Sequence, residues 1–327
     1  MTSRMPRLLV LSLGGTITMV PCATGGIVPV LGASDLIASV PELADIATIE
    51  AESLSRIPSA SLEPAAIVEM ALRIAAAFAA GCDGAVVIQG TDTIEETAFL
   101  LDLLVDGDRP VVVTGAMRGA ECAGADGKAN LLAAASVAAS AELRGVGTVA
   151  VLNDEIHAAR FVQKAHTALP SAFQSPLAGP IGAVAEGRPR IWLRPPPLPR
   201  LSAAGGGPRQ VALIRWAMGD DGRLLRALDS LGYAGAVIEG MGAGHVPAVA
   251  TETVAALARR MPVVLASRCA TGPVFTRTYG YEGGEIDLIR RGVVPGGYLS
   301  GLKARLLLGL ALRDRGSDPS ACFAAYQ

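Results

Sequence analysis

Thr91 and Asp92 place a hydroxyl and a carboxylate side by side at the junction of two segments with different periodicity. Ala85 to Ile88 is a short β-branched run that suits a strand buried on both faces, and Thr93 to Leu104 carries apolar residues at helical spacing. In an open parallel sheet, ligands bind at the carboxyl ends of strands, where the next helix offers unpaired N–H groups and the positive end of its dipole. The segment Gly90-Thr91-Asp92-Thr93 is therefore predicted to line a pocket.

A simpler interpretation of this corner is that Thr91, Asp92 or Thr93 caps the following helix, while Glu95 and Glu96 complement its dipole. One of the three residues is expected to do so. Capping needs one side chain, and the polar groups that remain require either solvent or a ligand.

Two further strand ends carry small residues of the same kind. An apolar run from Leu8 breaks at Gly14-Gly15, directly before Thr16, and a second run ends at Thr114-Gly115-Ala116. Paired glycines let the backbone approach a ligand closely, although an ordinary tight turn would also explain them. Val20 to Gly32 is too irregular for a helix or strand and too apolar for a plain linker, and we expect it to be a mobile lid over Thr16.

Other polar residues allow more than one interpretation. Ser59 and Ser61 either cap the helix that begins near Pro64 or face the pocket. A lone lysine such as Lys164 is normally a solvated surface charge, unless it lies close to the pocket. The three histidines are too widely spaced to suggest a metal site, and no cofactor is expected. The cluster Gly240-Met-Gly-Ala-Gly-His245 fits a dinucleotide fingerprint poorly, because Pro247 stands where that fingerprint needs a helix start.

Composition excludes several classes of protein. The 327 residues are 51% hydrophobic and 18% charged, as in a compact α/β protein, and the longest apolar stretches are too short to span a membrane. A net charge of −2 and 4% aromatic residues give no footprint for nucleic acid. Five scattered cysteines argue against a disulfide framework, and the amino terminus lacks the pattern of a secretory signal, so a cytoplasmic location is expected.

The order of segments predicts an α/β fold in two domains. Strands alternate with helices, which is typical of a parallel sheet with right-handed crossovers. We predict a larger N-terminal parallel-sheet domain at residues 1–186, a Pro/Gly-rich linker at 187–210 and a smaller C-terminal flavodoxin-like α/β domain at 211–327. The second domain is expected to include a helix near Asp221 to Leu231.

Several motifs together resemble the bacterial L-asparaginase family, in the order in which that family has them. The motifs are Gly14-Gly15-Thr16-Ile17, Gly90-Thr91-Asp92-Thr93 with the following Ile-Glu-Glu-Thr-Ala, Val113-Thr-Gly-Ala-Met-Arg118, Lys164 after Asn153-Asp154, Glu239-Gly-Met-Gly-Ala-Gly-His-Val-Pro, and Ser267-Arg-Cys-Ala-Thr-Gly. The resemblance covers nearly the whole chain, and the second motif is quite specific.

The resemblance implies a threonine-dependent amide hydrolase acting on L-asparagine. It makes Thr16 the nucleophile and Thr91 a second catalytic hydroxyl, with Asp92 and Lys164 as charge partners. Ala116 would contribute, with Thr91, backbone N–H groups for the oxyanion. The substrate-binding residues would be Gly15, Ser59, Gly90, Thr91, Asp92 and Ala116, with Asp92 on the α-ammonium and Ser59 on the α-carboxylate. Each active site would lie between two subunits of a homodimer or homotetramer.

Three departures from the family pattern concern substrate recognition. The lid segment contains no tyrosine, Ala60 stands where a glutamine follows the substrate-binding serine, and His245 and Tyr279, or a residue near it, replace the asparagine and glutamate of the neighbouring subunit. These changes imply weaker affinity or a shifted substrate. The alternatives are therefore a broader amidase, acting on L-glutamine, a D-amino acid amide or another small amide, and a catalytically weak ligand-binding homologue.

Overall fold

The computed structural model describes residues 4–21, 25–205, 207–313 and 318–327. It divides into two compact units, with the boundary between Ala203 and Ala204. Residues 22–24 of the predicted lid lie outside the described part of the chain.

The first unit alternates strands and helices up to β7 and then continues as strands alone. Its elements are β1 (Arg7–Ser12), β2 (Met19–Pro21), β3 (Ile27–Pro29), α1 (Ala33–Ala38), β4 (Thr48–Ser53), α2 (Pro64–Ala79), β5 (Gly84–Ile88), α3 (Ile94–Leu104), β6 (Val111–Thr114), α4 (Gly127–Ala139), β7 (Thr148–Leu152), β8 (Glu155–Ala158), β9 (Gln163–Lys164), β10 (Phe173–Gln174), β11 (Gly182–Ala185) and β12 (Arg188–Ile191).

An 8-stranded sheet in the order β12-β11-β8-β7-β6-β5-β1-β4 forms the centre of this unit. The strands from β4 to β7 in that order pair in parallel, as predicted. Strands β5 and β6 are buried along their whole length, because apolar side chains cover both faces of the sheet. Since β1, β5 and β6 are neighbours, their carboxyl ends meet at one edge, and the predicted convergence of three strand ends is confirmed.

The antiparallel part of the sheet was not foreseen from the sequence. Strands β7, β8, β11 and β12 pair antiparallel in succession. Strand β12 uses Arg188–Ile191, which lies in the segment predicted to be a linker. Pro189 fits there because β12 is the edge strand, where a missing backbone N–H breaks no ladder.

The predicted lid segment contains regular structure, contrary to expectation. Met19–Pro21 and Ile27–Pro29 pair as an antiparallel hairpin, β2 with β3. Backbone N–H groups of Val30 and Leu31 donate to Thr18 O at 2.9 and 3.0 Å, which fastens the end of the hairpin to the residues after Thr16. Its proline and glycine content disguised two strands of three residues each.

The second unit is a smaller α/β layer built on a 4-stranded parallel sheet in the order β13-β14-β15-β16. Its elements are β13 (Val211–Arg215), β14 (Gly235–Gly240), α5 (Thr251–Ala258), β15 (Val263–Ser267), α6 (Glu285–Arg290), β16 (Val294–Pro295), α7 (Gly301–Ala311) and α8 (Pro319–Phe323). The prediction of a parallel α/β unit is confirmed. The described strands follow chain order, without the reversal of strand order that a flavodoxin sheet has.

The helix predicted near Asp221 to Leu231 is wrong. That segment contains a single 3-10 turn, Arg223–Ala227, which starts after Gly222 in the left-handed region at φ 71°. Hydrogen bonds from Gly222 N to Asp220 and from Arg223 N to Asp221 hold the local turn instead. Within the described residues, every helix falls short of the length and apolar character that a bilayer-spanning segment requires.

Candidate active site

The three strand ends approach one another through glycine. A Cβ added to Gly15 would lie 2.1 Å from the backbone N of Gly90, and one added to Gly90 would lie 2.6 Å from Oγ of Ser59. A Cβ on Gly115 would lie 2.5 Å from the carbonyl O of Gln89. Real side chains do not tolerate such distances, so the corners after β1, β5 and β6 are packed backbone against backbone.

Thr16 follows directly on this contact. Gly14 and Gly15 have φ of 104° and 92°, which turn the chain sharply at the end of β1. A 3-10 turn, Thr16–Thr18, comes next, and Thr18 closes it with both its backbone N–H and its hydroxyl on Gly15 O, at 2.9 and 2.7 Å. Thr16 is half-buried at the start of that turn, where a hydroxyl can meet a ligand.

Lys164 contacts both polar residues of the central corner. Its Nζ lies 2.8 Å from Oγ1 of Thr91 and 2.7 Å from Oδ1 of Asp92. The Thr91 residue is 7% exposed, whereas the Asp92 side chain is 64% exposed. An ion pair this open to solvent contributes about 1 kcal/mol or less to stability, so its importance is chemical. The alternative of Lys164 as a solvated surface charge is wrong.

The capping interpretation of this corner is also wrong. Thr93 occupies the N-cap position of α3, but its side chain makes no capping hydrogen bond. Instead, Oγ1 of Thr93 donates to Ser59 O at 3.2 Å and receives a bond from Nε2 of Gln89 at 3.0 Å. Thr91 and Asp92 are directed to Lys164, so the polar side chains brace the corner and equip it rather than cap the helix.

Ser59 connects a fourth loop to this corner. Its Oγ accepts a hydrogen bond from Asp92 N at 3.2 Å, and the residue is 3% exposed. Neither Ser59 nor Ser61 caps α2, because the N-cap residue is Glu63 and no side-chain capping bond forms. The structure thus brings Ser59 to Gly90 and Asp92, as a residue that faces the corner.

A polar brace under the third corner was missed from the sequence. Asn130, 2% exposed on α4, donates to Gly115 O at 3.0 Å and accepts from Asn153 N at 2.9 Å. Asp126 accepts from the backbone N–H groups of Met117 and Arg118 at 3.0 and 2.9 Å. These bonds fix the chain on both sides of Ala116, which is itself 1% exposed. A buried amide in an alanine-rich helix was the signal that could have revealed the brace.

In the second unit, His245 and Tyr279 lie together, as the sequence suggested. Their ring centroids are 4.8 Å apart and edge-on, and Tyr281 lies 5.5 Å from the same histidine. The fully buried Glu285 accepts from Thr278 N and Tyr279 N at 2.9 and 2.7 Å, and its Oε2 lies 3.3 Å from Nε2 of His245, outside hydrogen-bond alignment. Tyr281 and Glu285 were not singled out from the sequence.

The carboxylate of Glu285 stays ionised despite its burial. Desolvation raises its pKa, but the backbone N–H groups of Tyr279 and Thr278, together with the charge of a protonated His245, outweigh that effect and bring the pKa below its usual value. The cluster therefore presents an imidazole fixed by two aromatic rings and a buried anion.

Fold and site define an α/β protein whose strand ends present threonine hydroxyls beside a lysine and a carboxylate, the equipment of a hydrolase with a hydroxyl nucleophile. Residues 7–196 match the family model described as asparaginase, N-terminal, and residues 210–322 match that of the glutaminase/asparaginase C-terminal domain. The chain belongs to the asparaginase family.

Similar proteins match along most of this chain. A probable L-asparaginase of Deinococcus radiodurans is 36% identical over 97% of this chain and 96% of its own. One polypeptide of the glutamyl-tRNA(Gln) amidotransferase of Methanosarcina barkeri is 32% identical over 90% of this chain and 71% of its own. The crystal structure of a probable cytoplasmic L-asparaginase from Campylobacter jejuni superposes with a TM-score of 0.88 at 31% identity, covering 98% of this chain and all of that one.

Proposed function

We propose that this protein is an L-asparaginase that hydrolyses L-asparagine to L-aspartate and ammonia through an ester with Thr16. The observation that carries the proposal is the contact of Lys164 Nζ with Thr91 Oγ1 at 2.8 Å and Asp92 Oδ1 at 2.7 Å, beside the glycine junction that precedes Thr16. Membership of the asparaginase family supports it.

The first half-reaction forms the acyl-enzyme. The Thr16 hydroxyl attacks the side-chain amide carbon of the substrate, its proton passes to a base, and the C–N bond breaks as the nitrogen takes up a proton and leaves as ammonia. A threonine hydroxyl is a weak nucleophile at neutral pH and needs such a base nearby. A neutral Lys164 amine, acting on its own or through the Thr91 hydroxyl, supplies one at the adjacent corner.

The oxyanion that forms on attack needs donors that are already in place. We assign this role to backbone N–H groups at the Thr91 and Ala116 corners, each contributing about 3–4 kcal/mol to the transition state. Their rigidity follows from packing: Gly90 lies against Ser59, and Asn130 holds the carbonyl of Gly115. In the second half-reaction water attacks the ester carbonyl at the same place, releases aspartate and restores the Thr16 hydroxyl.

Substrate orientation is assigned to the polar groups around these hydroxyls. Asp92, with an open carboxylate, would hold the α-ammonium, and Ser59 would hold the α-carboxylate, with Gly15 and Gly90 shaping the wall. The Ser59 hydroxyl has a free donor for this task, because its Oγ acts as acceptor towards Asp92 N. We propose that the segment around Val20 to Gly32 closes over Thr16 as a lid.

We further propose that the active form is a homodimer or homotetramer. His245 and Tyr279 would complete the active site of a neighbouring subunit, and their fixed arrangement around Glu285 supports a recognition role. A cytoplasmic location is proposed as well, supported by the description of the Campylobacter relative. Size-exclusion chromatography with light scattering tests the assembly, and cell fractionation tests the location.

Broader amide specificity is the second candidate function. Ala60 in place of a glutamine, and His245 in place of an asparagine, remove groups that would recognise the amino-acid end of asparagine. A glutaminase-asparaginase of Pseudomonas fluorescens, 37% identical over 59% of this chain, also favours this alternative. L-glutamine and D-asparagine are therefore the competing substrates to test.

Ammonia release from L-asparagine, L-glutamine and D-asparagine at neutral pH tests the proposal, with Thr16→Ala and Thr91→Val compared with wild type. Thr48→Val is the matched control, since Thr48 is an exposed residue at the amino end of β4, the opposite edge of the sheet. We expect L-asparagine turnover to be lost in the first two variants and kept in the control. A folded wild-type protein that releases no ammonia from L-asparagine would refute the assignment, and turnover of another amide would then favour the second candidate.

A further inference from the structure

We propose that His157 and Ser175 are positioning residues that hold Lys164 in place for the reaction. The inference rests on the proposed function, because it concerns the same lysine. It starts from a polar contact in the first unit that the proposed mechanism does not use.

His157 lies in β8, is 1% exposed, and its Nδ1 lies 3.0 Å from Oγ of Ser175. Its Nε2 lies 3.4 Å from Oε2 of Glu155, near enough for electrostatic attraction but outside hydrogen-bond alignment. A carboxylate only accepts, so the neutral ring carries its proton on Nε2, and the Ser175 hydroxyl donates to Nδ1. Burial lowers the pKa of His157 against the opposing effect of Glu155, which favours this neutral form.

The position of Ser175 in the chain links this contact to the site. Ser175 directly follows β10, and β10 pairs antiparallel with β9, so that Phe173 stands opposite Lys164. Ala165 N donates to Ala172 O at 2.7 Å and closes the pairing. The hairpin from 163 to 174 has two residues in each strand and few bonds of its own.

The bond to His157 therefore attaches a short hairpin to the large sheet. His157 is held by β7 on one side, opposite Ala150, in the interior of the 8-stranded sheet. When Ser175 is fixed to it, the end of β10 cannot move, and Lys164 keeps the register that places Nζ on Thr91 and Asp92. Without it, the lysine loses its support on the hairpin side.

A serine, a histidine and a carboxylate in sequence also resemble a nucleophile with its base. Ser175 is 5% exposed, so its hydroxyl is not presented to solvent as a nucleophile must be. The backbone carbonyl of Ser175 also accepts from Ala178 N and Gly179 N, at 3.2 and 2.7 Å, as part of a tight turn. These contacts indicate a fastening point, and the role is one of positioning.

The test compares Ser175→Ala and His157→Leu, which remove the bond, with His157→Asn, which keeps a polar atom near the position of Nδ1. We expect the first two to lower kcat for L-asparagine by about tenfold with little change in KM, and His157→Asn to restore most of the loss. Hydrogen–deuterium exchange should quicken in the peptide from 163 to 174 in the first two. Ile74→Val, in the core of α2, is the control for a small general loss of stability.

The two readouts separate this inference from the proposed function. If wild type releases no ammonia from L-asparagine, the proposed function fails, while the exchange rates still report whether the bond fixes the hairpin. With an active wild type, unchanged exchange or unchanged kcat in Ser175→Ala overturns the inference. An equal loss of kcat in Ile74→Val at the same melting temperature also overturns it, because general destabilisation then explains the effect.

Discussion

Gly15→Ala tests whether the close approach of the strand ends sets the activity. Gly15 has φ 92° and ψ 179°, a region essentially confined to glycine, so any side chain there costs about 1–3 kcal/mol through the backbone. An added Cβ would also lie 2.1 Å from Gly90 N, inside the 3.4–4 Å of ordinary van der Waals contact. Relieving this overlap requires the corners before Thr16 and Thr91 to separate by about 1 Å.

Separation on that scale has a calculable effect on catalysis. Misplacing reacting groups by about 1 Å can lower a rate by about 10²-fold, which corresponds to about 2.7 kcal/mol of activation free energy. We therefore expect kcat/KM for L-asparagine in G15A to fall by about 10²-fold, measured by ammonia release at matched folded concentration. Thermal unfolding, recorded in parallel, gives the loss of stability separately.

Gly107→Ala supplies the control for backbone strain alone. Gly107 has φ 105°, but an added Cβ there meets nothing within 4 Å, and it lies in the loop before β6, away from the carboxyl ends of the strands. Both variants should lose stability, and only G15A should lose activity. If G15A keeps kcat/KM within about threefold of G107A, the reasoning from the glycine contact is refuted.

Three further predictions concern single side chains. Lys164→Met is expected to lower kcat by about 10²–10⁴-fold with a nearly unchanged melting temperature, by steady-state kinetics and thermal unfolding; turnover near wild type would contradict its role. Asn130→Ala is expected to lower the free energy of unfolding by about 1–3 kcal/mol in urea, because it leaves the buried Gly115 O unpaired; an unchanged midpoint would contradict this. His157 has a pKa that burial lowers and Glu155 partly restores, so the folded state keeps the ring neutral while the unfolded chain protonates below pH about 6.5. Stability should therefore decline as pH falls below that value, by at most about 1.4 kcal/mol per pH unit, and urea unfolding should show less decline in His157→Asn.

The predicted parallel core followed from local pattern. The buried strands β5 and β6 are runs of β-branched residues that end in glycine, and such runs specify both the strand and its end without reference to distant sequence. The contact of Lys164 with Thr91 could not be derived in this way, because the two residues are 73 positions apart and nothing in their spacing places them together. Only the resemblance to a family suggested that pair.

The elements that were missed share a physical cause. Strands β9, β10 and β16 have two residues each, too few to show an alternating pattern. Strand β12, with Arg188 and Pro189, lies at a sheet edge, where position in the fold overrides strand propensity. The polar corner at Thr91 was open to a capping interpretation because the same residue types cap helices and line sites, and only the position of a partner separates the two.

The order of residues at the three corners has one physical explanation. Each corner places a glycine in contact with another backbone segment, and the residue assigned to the site follows it at once: Thr16 after Gly15, Thr91 after Gly90, and Ala116 after Gly115. Since the glycines bring backbone to within contact distance, the next side chain or N–H group starts from a position fixed by packing rather than by a flexible loop. A hydroxyl from β1 can thus work with one from β5, although each strand end is short and uncharged. This arrangement explains why Gly-Thr and Gly-Ala pairs, more than either residue alone, identify the site in the sequence.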